Sequence, residues 1–91
     1  MKLFLVHAGF YDENVSSGFY ESHTNYFVVA NDVKEAKAKA KVIPEYKNLK
    51  MHIDGIKEID VVDGYKISLH EHNDSNEDTE NNYSYDEVKI I

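Results

Sequence analysis

The segment KLFLVHAGF at residues 2–10 sets the architecture of this chain, together with SHTNYFVVA at residues 22–30. In the first segment, apolar side chains occupy both odd and even positions, so a strand built from it would be covered on both faces. The second segment is polar at its start and apolar at both parities at its end. Residues 11–20 are rich in turn formers and predict a long hairpin loop. We therefore expect two paired strands in the middle of a sheet.

A helix is predicted directly after the second strand. Asp32 is a suitable N-cap, and Glu35, three residues later, completes a capping-box pattern. Pro44 ends the helical run. The apolar residues at helical spacing, which predict a narrow face packed against the sheet, are Val33, Ala36, Ala40 and Ile43.

Residues 51–72 predict a hairpin that turns at an Asp-Gly pair. A two-residue loop would divide the apolar side chains of the two strands between opposite faces, which conflicts with one-sided burial. A three-residue loop instead pairs Val61 with Tyr65 and Asp60 with Lys66. We therefore expect the three-residue loop, with an ion pair on the face opposite the apolar one.

The composition changes abruptly after residue 72. Residues 73–82 contain no apolar side chain and predict a mobile loop. Residues 83–91 alternate again and end apolar, which predicts a fifth strand at the sheet edge, with a frayed tail as the alternative. The expected organisation is one domain over residues 1–72 and, over residues 73–91, an acidic loop followed by that strand.

The predicted order of strand, strand, helix, strand, strand and a last strand indicates a small α+β fold. One helix covers one face of a sheet, yet the first two strands are apolar on both faces. The least costly cover for the second face is another copy of the chain, so we expect a homodimer. The function that this favours is a non-enzymatic, homo-oligomeric protein-interaction module.

The formal net charge of -7 is concentrated near the C-terminus. Residues 1–70 contain 9 Lys and 10 acidic residues, whereas residues 71–91 contain 1 Lys and 7 acidic residues. The near-neutral body permits self-association. The overall acidity opposes nucleic-acid binding, because that affinity comes largely from neutralising phosphates. An alternative function is binding of a basic partner by the acidic segment, as inhibitor or immunity-type proteins do.

We expect a buried strand rather than a signal peptide at residues 2–10, and we expect no membrane-spanning segment in this chain. It has no Cys, which excludes disulfides and is typical of a reducing compartment. No window approaches the roughly 18 apolar residues of a membrane-spanning helix, and the first residues lack an Ala-x-Ala cleavage site. We expect a cytoplasmic protein that is not bound to a membrane.

Two pairs of polar residues could carry chemistry: Glu21 with His23, and His52 with Asp54. Each pair has i, i+2 spacing, which places both side chains on the same face of a strand. If the pairs meet, they offer two imidazoles and two carboxylates for zinc or another divalent ion, or for acid-base work near neutral pH. A small metal-dependent or acid-base enzyme is therefore a second hypothesis, although no cofactor is required by the sequence. The other interpretation is that these groups cap turns and form hydrogen bonds across a dimer interface.

The remaining histidines are weaker candidates. His70 and His72 also have i, i+2 spacing and, with Glu71 and Asp74, could form a second set of metal ligands. They border the predicted loop, so a solvated strand end is the expectation. His7 lies in the doubly apolar first strand and is expected to be a hydrogen-bonded core histidine.

Four segments of the chain form a recognisable combination: Glu21-Ser22-His23, residues 27–30 (FVVA), residues 51–54 (MHID) and residues 58–65 (EIDVVDGY). Together they resemble the bacterial family catalogued as domain of unknown function 1543. The resemblance covers roughly residues 1–70 and leaves the acidic tail outside. Some members of that family carry two copies of the domain, which implies that a single copy could pair with itself. The resemblance implies no activity.

Overall fold

The sheet at the centre of the fold has three antiparallel strands. The structure is a computed structural model that describes residues 1–73 and 76–91. The strands are β1 (Lys2–Phe10), β2 (Ser22–Ala30) and β3 (His52–Ile59), and they lie in the order β2-β1-β3. The expectation of two central strands is therefore correct for β1 and wrong for β2, because within the described residues β2 pairs with β1 alone.

The first two strands form the predicted hairpin. β1 and β2 pair antiparallel from Lys2 opposite Ala30 to Phe10 opposite Ser22. Their connection contains a single turn of 3₁₀ helix at Ser16–Gly18 and is otherwise irregular. The length of the loop follows from its turn-forming residues, as expected.

Helix α1 (Val33–Lys41) covers one face of the sheet. Its N-terminus has the predicted cap, since the Asp32 side chain accepts a hydrogen bond from the Glu35 amide at 2.8 Å. The buried side chains of the helix are Ala36 and Ala40. These small side chains let the helix axis lie close to the sheet.

A second, unpredicted helix, α2 (Pro44–Asn48), follows immediately. Pro44 ends the helical run of α1 as expected, and it also begins α2, because the first position of a helix needs no amide donor. The helix buries Tyr46 beside Met51 and Ala8. Within the described part of the chain, none of the helices is long and apolar enough to cross a membrane.

The core lies between the sheet and the helices. Side chains alternate between the two faces of β1 and β2. The even-numbered ones point to the inner face, toward the helices, and the odd-numbered ones point to the opposite, outer face. The main core cluster consists of Phe4, Val6, Val28, Ala30, Ala36 and Ala40. The strand register gives the rows of residues on the outer face. On β1 they are Leu3, Leu5, His7 and Gly9, and on β2 they are His23, Asn25, Phe27 and Val29. On β3 they are His52, Asp54, Lys57 and Ile59.

The hairpin after β3 is shorter than predicted and lies outside the main sheet. Strands β4 (Val61–Val62) and β5 (Tyr65–Lys66) form their own two-stranded sheet. Val62 lies opposite Tyr65, so the loop has two residues and the predicted three-residue register is wrong. The argument from one-sided burial fails because both strands are exposed, and no buried face selects the register.

The turn itself selects this register. Asp63 and Gly64 have φ angles of 52° and 80°, and positive φ at both central residues defines the type I′ turn that Asp-Gly favours. The expected ion pair between Asp60 and Lys66 does form. The hydrogen bond to the Asp60 carboxylate, with its negative charge, raises the pKa of Lys66.

The C-terminal segment forms a short helix where a strand is predicted. Helix α3 spans Tyr85–Lys89, so the prediction of a strand is wrong. The Ser84 side chain accepts a hydrogen bond from the Glu87 amide at 3.3 Å and donates one to the Glu87 carboxylate at 3.1 Å. This capping-box pattern favours a helix over the alternating apolar pattern. Residues 74 and 75 of the predicted mobile loop lie outside the described residues.

Tyr26 joins the inner face of the sheet to α2. Its hydroxyl donates a hydrogen bond to the Glu45 carboxylate and lies 3.7 Å from the Met51 sulfur. Burial, together with this hydrogen bond and the negative charge of Glu45, raises the pKa of Tyr26 to about 12. The neutral form of Tyr26 is therefore favoured in the folded protein.

Replacing Tyr26 tests this contact. The raised pKa means that the contribution of neutral Tyr26 to stability is complete below pH 10 and is lost as the pH rises through about 12. Tyr26→Phe should lower the free energy of unfolding at pH 7 by about 1 kcal/mol and should make its decline above pH 10 less steep. Urea unfolding followed by circular dichroism measures both. Tyr20→Phe, at a residue that is 65% exposed, is the control, and identical alkaline profiles for the two variants would contradict the assignment.

Candidate metal centre

The four polar side chains singled out from the sequence meet at one end of the outer face. Glu21 directly precedes β2, and His23 is the second residue of that strand. His52 begins β3, and Asp54 follows two residues later. The two i, i+2 pairs thus lie on the two strands that flank β1. We call these four residues the quartet.

Each imidazole of the quartet faces both carboxylates. The Nε2 atom of His52 lies 2.7 Å from Glu21 Oε1 and 3.1 Å from Asp54 Oδ1. The Nε2 atom of His23 lies 3.3 Å from Glu21 Oε1 and 3.1 Å from Asp54 Oδ2. Five donor atoms, counting both oxygens of Asp54, therefore lie close together, and either protons or a cation can balance the carboxylate charge.

Gly9 provides the space in which the quartet meets. On β1 it lies opposite His23 of β2 and opposite His52 of β3. A Cβ atom at Gly9 would lie 2.1 Å from Glu21 Oε1, 2.7 Å from Asp54 Oδ2 and 2.7 Å from His52 Nε2. No contact of ordinary length is that short, so any side chain at this position would push the quartet apart.

A β-bulge in β3 directs Asp54 toward the quartet. His7 pairs with Gly55 and Ala8 pairs with Ile53, which leaves Asp54 as the extra residue between them. A bulge shifts the alternation of a strand by one residue. As a result, Ile53 and Ile56 both pack toward the core, while Asp54 contacts His23 on the outer face.

The quartet is partly open to solvent and has no lysine partner. Its side chains are 30% to 48% exposed. Within residues 1–73 and 76–91, the ion pairs of Glu21 and Asp54 are all with histidines. Two carboxylates beside neutral imidazoles leave an uncompensated negative charge, which protonated histidines or a bound cation would neutralise.

His7 lies beside the quartet, where sequence reasoning does not place it. The expectation of a core histidine is wrong, because His7 is exposed on the outer face. The expected hydrogen bond exists, between His7 Nδ1 and Asn25 Oδ1 at 2.9 Å. The His7 ring stacks on the His23 ring with centroids 4.8 Å apart. Pairing of β1 with β2 is the signal that could have placed His7 near the quartet, since the hairpin brings residue 7 opposite residue 25.

The second candidate ligand set does not join this site. His70 and His72 are exposed and lie beyond β5 in a segment without regular structure. His70 borders a cavity with Met1 and Val29, at the opposite end of the sheet from Gly9. Asp74, which the sequence added to this set, lies outside the described residues.

The comparisons with known proteins give a family and no activity. A family model described as Domain of Unknown Function (DUF1543) matches residues 18–69. The matched range contains the whole quartet and excludes β1 and the acidic C-terminal segment. No curated protein and no solved structure matches the chain.

The role of Gly9 is tested by adding one methyl group. Gly9→Ala should separate the quartet without unfolding the protein, because the colliding atoms are the ends of side chains that can rotate away. We expect the free energy of unfolding to change by less than about 1 kcal/mol, while the imidazole resonances of His23 and His52 shift in NMR spectra. Gly55→Ala is the matched control, since nothing lies within 4 Å of its added Cβ. Unshifted imidazole resonances in Gly9→Ala would contradict this account.

Proposed function

The chain belongs to the domain of unknown function 1543 family, and for this chain we propose that it binds a divalent transition-metal ion. The ligands that we propose are Glu21, His23, His52 and Asp54. The description of the family assigns no activity. One observation carries the proposal: the Nε2 atoms of both histidines lie within 3.3 Å of an oxygen of both carboxylates. The function is therefore assigned to the quartet rather than to the fold.

The spacing of the donor atoms suits a small metal ion. Zinc lies about 2.0 to 2.1 Å from imidazole nitrogen and carboxylate oxygen, so the ligands of a tetrahedral site are separated by roughly 3.3 Å. Three of the four nitrogen-to-oxygen distances in the quartet are 3.1 to 3.3 Å. The fourth, 2.7 Å between His52 and Glu21, is that of a direct hydrogen bond and would lengthen when an ion replaces the proton.

The types of donor favour zinc and its neighbours over calcium or magnesium. Imidazole suits Zn²⁺, Fe²⁺ and Ni²⁺, whereas calcium and magnesium prefer oxygen ligands alone. Four protein ligands fill a tetrahedral zinc site, so a water molecule on the ion would need a fifth position, which the partial exposure of the quartet leaves open. A metal-dependent hydrolytic reaction is the catalytic extension of this proposal, and binding is its first requirement.

Metal titration of the untagged protein tests the proposal. We expect Zn²⁺ to bind the metal-free protein, and His52→Ala to weaken that binding by at least about 100-fold, since even residues that only support metal ligands contribute 10- to 100-fold. Isothermal titration calorimetry gives the affinity. The matched control is His72→Ala, an exposed histidine away from the quartet. The proposal fails if the wild type does not bind Zn²⁺, or if the two variants bind it equally well.

A second function, self-association, is favoured by the apolar half of the outer face. Phe27 is 70% exposed and Val29 is 39% exposed, and Leu3 and Leu5 lie beside them on β1. Among the residues that the structure describes, α1 packs on the inner face and does not cover this patch. Residues 78–80 lie at the edge of this patch, where they line a cavity together with Leu3, Phe27 and Val29. They do not bury Phe27.

A second copy of the chain is the occupant that we propose for this patch. A typical protein interface buries about 800 Å² of each partner, which is about a tenth of the 7735 Å² surface of this chain. Residues 1–70 are near neutral, with 9 Lys and 10 acidic residues, and add little repulsion between two copies, whereas Asp78 and Glu80 at the edge of the patch would oppose association. Burying Phe27 and its neighbours would then supply the driving force.

Sedimentation velocity tests self-association directly. The wild type should approach twice its mass of 10.5 kDa as the concentration rises. Phe27→Lys should weaken the dimer at least 10-fold, because a charge would be buried in an apolar contact. Tyr65→Lys, at a residue that is 75% exposed on the separate hairpin, is the control. A wild type that stays monomeric at high micromolar concentration would rule out this second function.

A further inference from the structure

We infer that the site holds two divalent ions, bridged by Asp54, with His7 as a ligand of the second ion. This inference rests on the proposed metal-binding function and extends it to five protein ligands. The first ion would be held by Glu21, His52 and Asp54, and the second by His7, His23 and Asp54.

The geometry already divides the ligands into two sets. The donor atoms of Glu21, His52 and Asp54 all lie within 4.8 Å of one another, and so do those of His7, His23 and Asp54. Asp54 belongs to both sets and uses a different oxygen for each. Its Oδ1 lies 3.1 Å from His52 Nε2, and its Oδ2 lies 3.1 Å from His23 Nε2.

A carboxylate that presents one oxygen to each of two sets is suited to bridge two metal ions. In two-metal sites the ions lie about 3.5 to 4 Å apart and share such ligands. Each set here contains three protein residues, so each ion would retain room for water. Neither ion would be enclosed, because the donor side chains on β2 and β3 are 30% to 48% exposed.

Asn25 prepares His7 for this role. The oxygen of its side-chain amide lies 2.9 Å from His7 Nδ1 and accepts a hydrogen bond from the N–H of that nitrogen. In the neutral imidazole the other ring nitrogen, Nε2, is then unprotonated and free to coordinate a metal. A hydrogen bond that fixes the tautomer and orientation of a histidine is typical of metal ligands. Asn25 is thus a positioning residue.

The bulge in β3 is what makes two sets available. Because Asp54 is the extra residue between the pairs His7–Gly55 and Ala8–Ile53, its carboxylate lies between the β2 and β3 histidines rather than beside one of them. The His7 and His23 rings stack with an interplanar angle of 5°, so binding of the second ion would require one ring to turn until a nitrogen of each points to that ion.

Equilibrium dialysis against Zn²⁺, with total zinc measured by elemental analysis, tests the number of ions. The wild type should bind two ions per chain at saturation, and His7→Ala should bind one. Asn25→Ala should still bind two, with the affinity for the second ion weakened about 10- to 100-fold. The matched control is His70→Ala, which should bind two ions with wild-type affinity. Circular dichroism verifies that each variant is folded.

The outcomes separate this inference from the proposal on which it rests. A wild type that saturates at one ion overturns the two-ion site and leaves single-ion binding by the quartet intact. A wild type that binds no ion overturns both. A folded His7→Ala variant that still binds two ions, or that binds none, overturns the assignment of His7 to the second ion. If His7→Ala does not fold, unchanged affinity for the second ion in Asn25→Ala overturns that assignment.

Discussion

The fold and the candidate site both depend on β1, the strand that pairs with the other two along most of its length. A central strand must be covered on its inner face, and the small side chains of α1 provide that cover by approaching the sheet closely. The odd-numbered residues of the same strand lie on the outer face, opposite the face that α1 covers. Because β2 and β3 flank β1, their outer polar residues can meet only above β1, and Gly9 is the position where no side chain obstructs them.

Two local irregularities convert this arrangement into a chemical site. The absence of a side chain at Gly9 lets Glu21 and the histidines of two strands approach within hydrogen-bonding distance. Asp54 lies at the bulge of β3, and its carboxylate contacts both histidines. Neither feature strengthens the sheet, since glycine weakens a strand interior and a bulge leaves a residue unpaired. Their coincidence at one point is the strongest physical reason to assign a function to that point.

Where sequence reasoning succeeds, the signal is local or strictly periodic. The cap of α1 and the shared face of each i, i+2 pair follow from the spacing of neighbouring residues, and the structure brings the quartet together. Where it fails, a weaker signal prevails. The Asp-Gly turn sets the hairpin register because both strands are exposed, and the Ser84 to Glu87 capping box overrides the alternating apolar pattern of the C-terminal residues. The sequence misplaces His7, because an apolar strand is expected to be buried on both faces and the outer face of β1 is open at this residue.

The sequence by itself determined the α+β class, the family, the position of the capped helix and the four polar residues worth testing, since each depends on residues close together along the chain. Self-association and the role of the acidic segment remain predictions. Only the tertiary structure decided that the four side chains converge, that His7 and Asn25 join them, and that Asp54 lies between two sets of ligands. Those facts depend on which strands are neighbours and on a one-residue shift in their register, and strand pairing joins residues that are distant in the sequence.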